Sequence, residues 1–145
     1  MSEENVEFVL SINPDPDVDI AQLIRDDTLW AALVESLAAT THREFECAVR
    51  GGPEGDQIYV GANGMRQLWL DWLAPWATYR TEVREAIDCG DQVLVLADTF
   101  ARLEGSTQEV QISSADVWTV RDGKVVRWEA YVHRAEALKA VGLEE

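Results

Sequence analysis

Cysteine and histidine, the side chains that most often hold metals, are scarce in this 145-residue chain, with two of each. Cys47 and Cys89 stand apart among strand-like residues, without the spacing of a metal or redox motif. His42 and His133 are well separated and have no cluster of acids beside them, so the pattern implies no metal. Basic residues are also few: 12 Lys and Arg stand against 27 Asp and Glu, a formal net charge of −15. Such a field repels phosphate backbones and anionic lipid headgroups, so neither nucleic acid nor a membrane surface is an expected partner. No run of five or more like charges occurs, and the acids read as a solvated surface. Long apolar runs are missing too. Met1 to Leu10 is interrupted by glutamates, which excludes a signal peptide or membrane span there. A soluble, cytoplasmic protein is expected.

What is present is apolar and aromatic: 47% hydrophobic residues and six tryptophans. That is enough for one core and too little chain for two ordinary domains, so residues 1–145 are expected to form a single domain. Ser2 reads as an N-cap followed by acids, opening a short helix that Asn13-Pro-Asp-Pro16 stops. Asp19, and Asp26 or Asp27, precede apolar residues at helical spacing, among them Ile20, Leu23, Ile24, Trp30, Leu33 and Leu37. From Glu44 the pattern alternates, with Phe45, Cys47 and Val49 on one side, until Gly51, Gly52 and Pro53 break the strand. Met65, Leu68, Trp69, Trp72, Leu73 and Trp76 form an apolar face that predicts a helix over Gly61 to Trp76. Four strand-like segments follow, Tyr79 to Ile87, Gln92 to Leu103, Gln108 to Val120 and Lys124 to His133. The short turns between them predict an antiparallel meander. Ala135, Leu138 and Val141 suggest a closing helix that ends at Gly142. Helices first and a curved sheet afterwards make an α+β fold with helices on one sheet face.

Three stretches carry a resemblance: Met-Ser-Glu-Glu-Asn-Val-Glu at the start, Tyr59-Val-Gly-Ala-Asn-Gly64 leading into the Trp-rich helix, and Asp116-Val-Trp-Thr-Val-Arg-Asp-Gly-Lys124. Together they resemble SnoaL-like proteins of the NTF2-like superfamily, most specifically over residues 59 to 141. The resemblance implies a cone-shaped barrel around a pocket, though Asn13-Pro-Asp-Pro16 interrupts the long first helix usual in the superfamily. That superfamily includes polyketide cyclases, ketosteroid isomerases, limonene epoxide hydrolases, scytalone dehydratases and binding modules, so the fold alone decides no reaction.

The resemblance also implies which side chains meet. On the last strand it turns Trp128, Ala130 and Val132 into the pocket, leaving Arg127, Glu129, Tyr131 and His133 outward. SnoaL-like cyclases carry their catalytic aspartate eight residues before the Gly-Lys lysine, which selects Asp116, with Ser114 and Trp118 on its face. A carboxylate midway along an otherwise apolar strand is desolvated, which suits it to proton transfer near neutral pH. The plainer alternative is a local bulge that turns Asp116 to solvent, or a hydrogen bond to Ser113, Ser114 or a backbone amide.

Departures from the relatives narrow the chemistry. The epoxide hydrolase positions hold Thr99, Ala101 and Ala130 here, and the ketosteroid isomerase positions hold Cys47 and Trp69. The histidine that SnoaL-like cyclases often add is Trp128. Asp116 is therefore expected to act nearly alone, with Trp118, Trp128, Trp69, Ser114, Thr99, Ala130, Val132 and Cys47 as substrate-binding candidates. Cys47 is either a substitute base or, more simply, a small packing residue. Trp69, Trp72 and Trp76 are first of all core. Trp118 and Trp128 suit a flat, largely apolar ligand such as a polycyclic or aromatic ketone. The expected activity is isomerisation or aldol-type cyclisation without metal or cofactor, set against a binding module without turnover or a dimerising domain. For a homodimer, the outward sheet face with Arg127, Glu129, Tyr131, Gln111, Ser113, Val117 and Thr119 is the expected surface.

Overall fold

The computed structural model describes residues 2–52 and 55–143. The first helix, α1, spans Ser2–Ile12. It ends as the sequence predicts, and the Asn13 side chain donates to the Val9 carbonyl at 2.8 Å, satisfying one of the acceptors a helix end leaves free. The expected caps at Ser2 and the break at Pro53 involve a side chain and a residue outside the described ones.

Helices α2 (Ile20–Arg25) and α3 (Asp27–Thr40) are each capped by an aspartate. Asp19 accepts from the amide of Ala21, and Asp26 accepts from the amides of Thr28 and Leu29. The Asp19 carboxylate also accepts from the Tyr79 amide at 3.0 Å, so one side chain both starts α2 and fastens it to the sheet.

Among the described residues six strands follow from Thr41 onward: β1 (Thr41–Arg50), β2 (Gln57–Val60), β3 (Trp76–Cys89), β4 (Gln92–Leu103), β5 (Glu109–Arg121) and β6 (Lys124–Tyr131). Helix α4 (Gly61–Leu73) lies between β2 and β3, and α5 (Arg134–Ala140) closes the described chain. The sheet is curved and does not close on itself, in the order β2-β1-β6-β5-β4-β3. Its second half is the antiparallel meander expected from the turns. Two features differ from the sequence reading. The short strand β2 pairs with β1, and β1 runs parallel to β6, so the sheet is mixed. A parallel pair needs a long connection rather than a turn, and no local pattern reports it.

The helix expected over Gly61 to Trp76 stops at Leu73. Pro75 supplies no amide donor for another turn, and Trp76 instead opens β3 opposite Leu103. Its partner in the expected core face, Trp72, is 37% exposed. Reciprocal arginines hold α4 against α2. Arg25 donates to the Leu73 and Trp76 carbonyls, and Arg66 donates to the Ile24 carbonyl and pairs with Asp27.

The core has two sides. Val9, Phe45, Cys47, Leu68, Val93 and Val95 pack between the inner sheet face and helices α1 and α4. On the outer face α5 lays Ala137 and Leu138 over Leu94, Leu96, Ala115 and Val117. Part of the face expected to meet a second copy is thus covered within the chain itself. Val117, Thr119 and Glu129 are buried within the chain. Within the chain Arg127 pairs with Glu46 and Glu129 with Arg50.

Candidate functional site

Asp116 sits in the middle of β5, opposite Val95 on β4 and Ala130 on β6. Alternation then places Ser114 and Trp118 on its side of the strand, and Trp118 lies directly across from Trp128. The register shift between Thr119 and Val120 falls beyond this patch, so it does not disturb the phase at Asp116. The carboxyl faces the inner side of the sheet, where two chambers meet.

The smaller chamber, about 70 Å3, is bordered by the hydroxyls of Tyr79, Thr81, Thr99 and Ser114. The larger, about 440 Å3, lies towards α1 to α3 and is walled by Pro14, Leu33, Leu37, Phe45, Met65 and Trp118. Trp69, Thr81, Asp116 and Trp128 border both. The Asn13-Pro-Asp-Pro16 interruption lets the chain turn across the large chamber, with Asn13, Pro14 and Asp15 on its wall. No Lys, Arg or His borders either space among the described residues.

Asp116 keeps some accessible surface, but that surface belongs to the chambers, with protein packed around it. Burial pushes its carboxyl up from 3.8 to about 7, because the charged form loses its water. The Trp128 indole N–H works in the opposite direction, yet no hydrogen bond closes between them: Nε1 of Trp128 has no partner, and neither has Nε1 of Trp118.

A second polar group stands in the small chamber. Trp72 Nε1 donates to the Tyr79 hydroxyl at 2.9 Å. An indole only donates, so it occupies a lone pair on the phenol oxygen and leaves the phenol proton to be given elsewhere. Burial raises the Tyr79 pKa, the neighbouring Trp72 and Thr99 groups lower it, and the charge of Asp116 raises it. Thr99 in turn donates to Ser114 at 3.3 Å, and Ser114 to the Ala97 carbonyl at 3.2 Å.

Of the residues singled out from the sequence, Trp69, Thr99, Ser114, Asp116, Trp128, Ala130 and Val132 border the small chamber, and Trp118 borders the large one. Cys47 borders neither. It is fully buried in the core, and burial pushes its thiol up to about 12, so the possible base is a packing residue. The expected ligand-facing role of the tryptophan rings also changes. Trp128 stacks on Trp69 at a centroid distance of 5.6 Å and tilts against Trp118 at 5.7 Å, so these rings pack mainly on one another. Tyr79, Thr81 and Trp72 were missed. On β3 no residue fixed which face is inward, and register shifts at Trp76/Thr78 and Val83/Glu85 break the alternation that could have shown it.

A family model described as the SnoaL-like domain matches residues 20–128. The chain belongs to the SnoaL-like family. That match covers α2 to most of β6, including Asp116 and Trp128. Among solved structures, TerC co-crystallised with polyporic acid is 20% identical, with a TM-score of 0.63 over 95% of this chain and 98% of that one. A protein of Jannaschia sp. CCS1 named as a SnoaL-like polyketide cyclase is 18% identical, with a TM-score of 0.64 over 99% and 95%. A Catenulispora acidiphila protein with a ketosteroid isomerase-like fold, solved with trimethylamine, is 14% identical, with a TM-score of 0.57 over 90% and 95%. These likenesses establish an NTF2-like fold for this SnoaL-like domain. No curated protein sequence matches the chain.

Proposed function

We propose that this SnoaL-like domain binds a small, largely apolar molecule across its two chambers and moves a proton next to a carbonyl through Asp116, without metal or cofactor. The observation that carries this reading is a carboxyl lifted to about 7 at the junction of two mostly apolar spaces. At neutral pH such a group is present in both protonation states, as a general base that must also return its proton requires. Ionised Asp116 takes a proton from the carbon beside the carbonyl. The electron pair moves onto oxygen as an enolate, and the proton returns from Asp116 to the same or another carbon. Isomerisation and aldol-type closure both begin with this step. That a TerC structure of similar fold was crystallised with polyporic acid supports a small-molecule site.

Hydrogen exchange tests the proposal without knowledge of the natural substrate. In heavy water the protein should accelerate deuterium entry beside the carbonyl of 2-tetralone, read by NMR, and Asp116→Asn should return the rate to that of buffer while still binding the ketone. Exchange unchanged by Asp116→Asn defeats the catalytic reading. The second reading, a module that holds its ligand without turnover, is favoured by the lack of Lys, Arg or His on the chamber walls among the described residues. It predicts binding with no accelerated exchange.

A further inference from the structure

Buried donors without acceptors are uncommon in folded proteins, because each forfeits the hydrogen bond it made with water. Here two stand side by side. Trp118 and Trp128 are direct cross-strand partners, both almost fully buried, and the indole nitrogens of both lack a partner. Both side chains border the large chamber, and Trp128 borders the small one as well. Their ring faces are engaged with each other and with Trp69, so the part of each left unsatisfied is the N–H edge. The hydroxyls of the small chamber are engaged elsewhere: Trp72 donates to Tyr79, Thr99 to Ser114, and Ser114 to the Ala97 carbonyl. Two indole donors are therefore left without a partner next to Asp116.

We propose that the Trp118 and Trp128 indole N–H groups recognise a carbonyl oxygen, and that the ligand is a neutral oxygenated molecule with its carbonyl seated beside Asp116. This deepens the function proposed above and rests on it. A carbonyl supplies lone pairs to donors that have none, and the negative charge that grows on its oxygen during enolisation strengthens those hydrogen bonds. A carboxylate would also accept from the indoles, but it would bring a charge to a desolvated acid with no cation on either wall among the described residues. An ammonium would pair with Asp116 but has no lone pair to offer, and would leave both indole donors unsatisfied. Both N–H groups are sealed from solvent, so a ligand reaches them only when the indoles part.

The probes are 2-tetralone, the hydrocarbon tetralin and tetralin-2-carboxylate, three molecules with one ring skeleton. Binding is followed by calorimetry at pH 8. The ketone should bind about tenfold more tightly than the hydrocarbon, the effect expected of satisfying one buried donor, and more tightly than the carboxylate. Trp128→Phe and Trp118→Phe keep an aromatic ring and delete the donor. Each should shrink the ketone's advantage while tetralin affinity stays within about twofold, which also shows that the cavity is intact. Tetralin binding as tightly as 2-tetralone, or an advantage that survives both substitutions, overturns the proposal and leaves the pocket standing. Failure of all three probes to bind the folded protein overturns both the proposal and the pocket reading beneath it.

Discussion

Replacing Asp116 with Asn should make the folded chain more stable, and by an amount that grows with pH. In the unfolded chain the carboxyl titrates near its ordinary 3.8, whereas burial in the folded chain pushes it up to about 7. The sign follows directly. The folded state holds the proton more tightly, so below the unfolded value both states are protonated and Asp116 costs nothing. As pH rises through the interval between the two values, the unfolded state ionises and gains water while the folded state does not. Above about 7 the full penalty is present. At about 1.4 kcal/mol per tenfold difference in proton affinity, the ceiling is ~4 kcal/mol, reduced by whatever water the chambers admit. Asn has nearly the same shape and no charge to desolvate. Its advantage over Asp should grow by about 2 kcal/mol between pH 5.5 and 8.5, an interval chosen to stay above the isoelectric point of 4.4. Urea denaturation of both proteins at several pH values in that interval measures it, and titrations common to both cancel. A difference that stays flat across the interval would mean that Asp116 is solvated in the folded chain, and the argument for its chemistry would collapse with it.

Asp19→Ala removes both the cap of α2 and the acceptor of the Tyr79 amide, and should cost about 1–2 kcal/mol in urea denaturation. An undiminished midpoint would show that the two contacts are not limiting. In the native protein at pH 8, Cys47 should resist a thiol reagent until the chain unfolds, since its thiol is buried and pushed up to about 12, while the half-buried Cys89 reacts first. Mass spectrometry after timed labelling separates the two sites. Tyr79→Phe leaves the Trp72 N–H without its acceptor on a partly exposed side chain, where water can replace it, so stability should fall by no more than about 1 kcal/mol. Ala137→Glu drives a carboxylate into the contact between α5 and the outer sheet face and should lower the melting temperature by several degrees, whereas Ala135→Glu on the exposed side should not.

Much of the fold could be read along the chain because its signals are local. Asp19 and Asp26 sit where helices begin, and Cys89-Gly-Asp91 and Asp122-Gly123 sit where strands turn back. The site was legible because the SnoaL-like resemblance anchored Asp116, Trp128 and Ala130 to the lysine after Gly123, and alternation then carried Ser114 and Trp118 to the face of Asp116. What escaped depended on contacts between distant segments. The parallel pairing of β1 with β6, the passage of α5 across Val117, and the arrival of Tyr79 beside Asp116 leave no trace in local periodicity. Trp76 misled for a different reason. Its spacing from Trp69 and Trp72 is helical, but the proline before it decides the backbone.

The parallel seam between β1 and β6 also carries a consequence for how the molecule assembles. Glu46 and Arg127, which pair across it, are 81 residues apart, whereas β3 to β6 join through turns of a few residues. Closing so large a loop costs entropy that only the finished seam returns. The meander is therefore expected to form first, and Asp116 begins life on an open surface exposed to water. Its chambers exist only once β1 has docked and brought the helices with it, so the acidity of this one carboxyl is itself a reporter of the last step of folding.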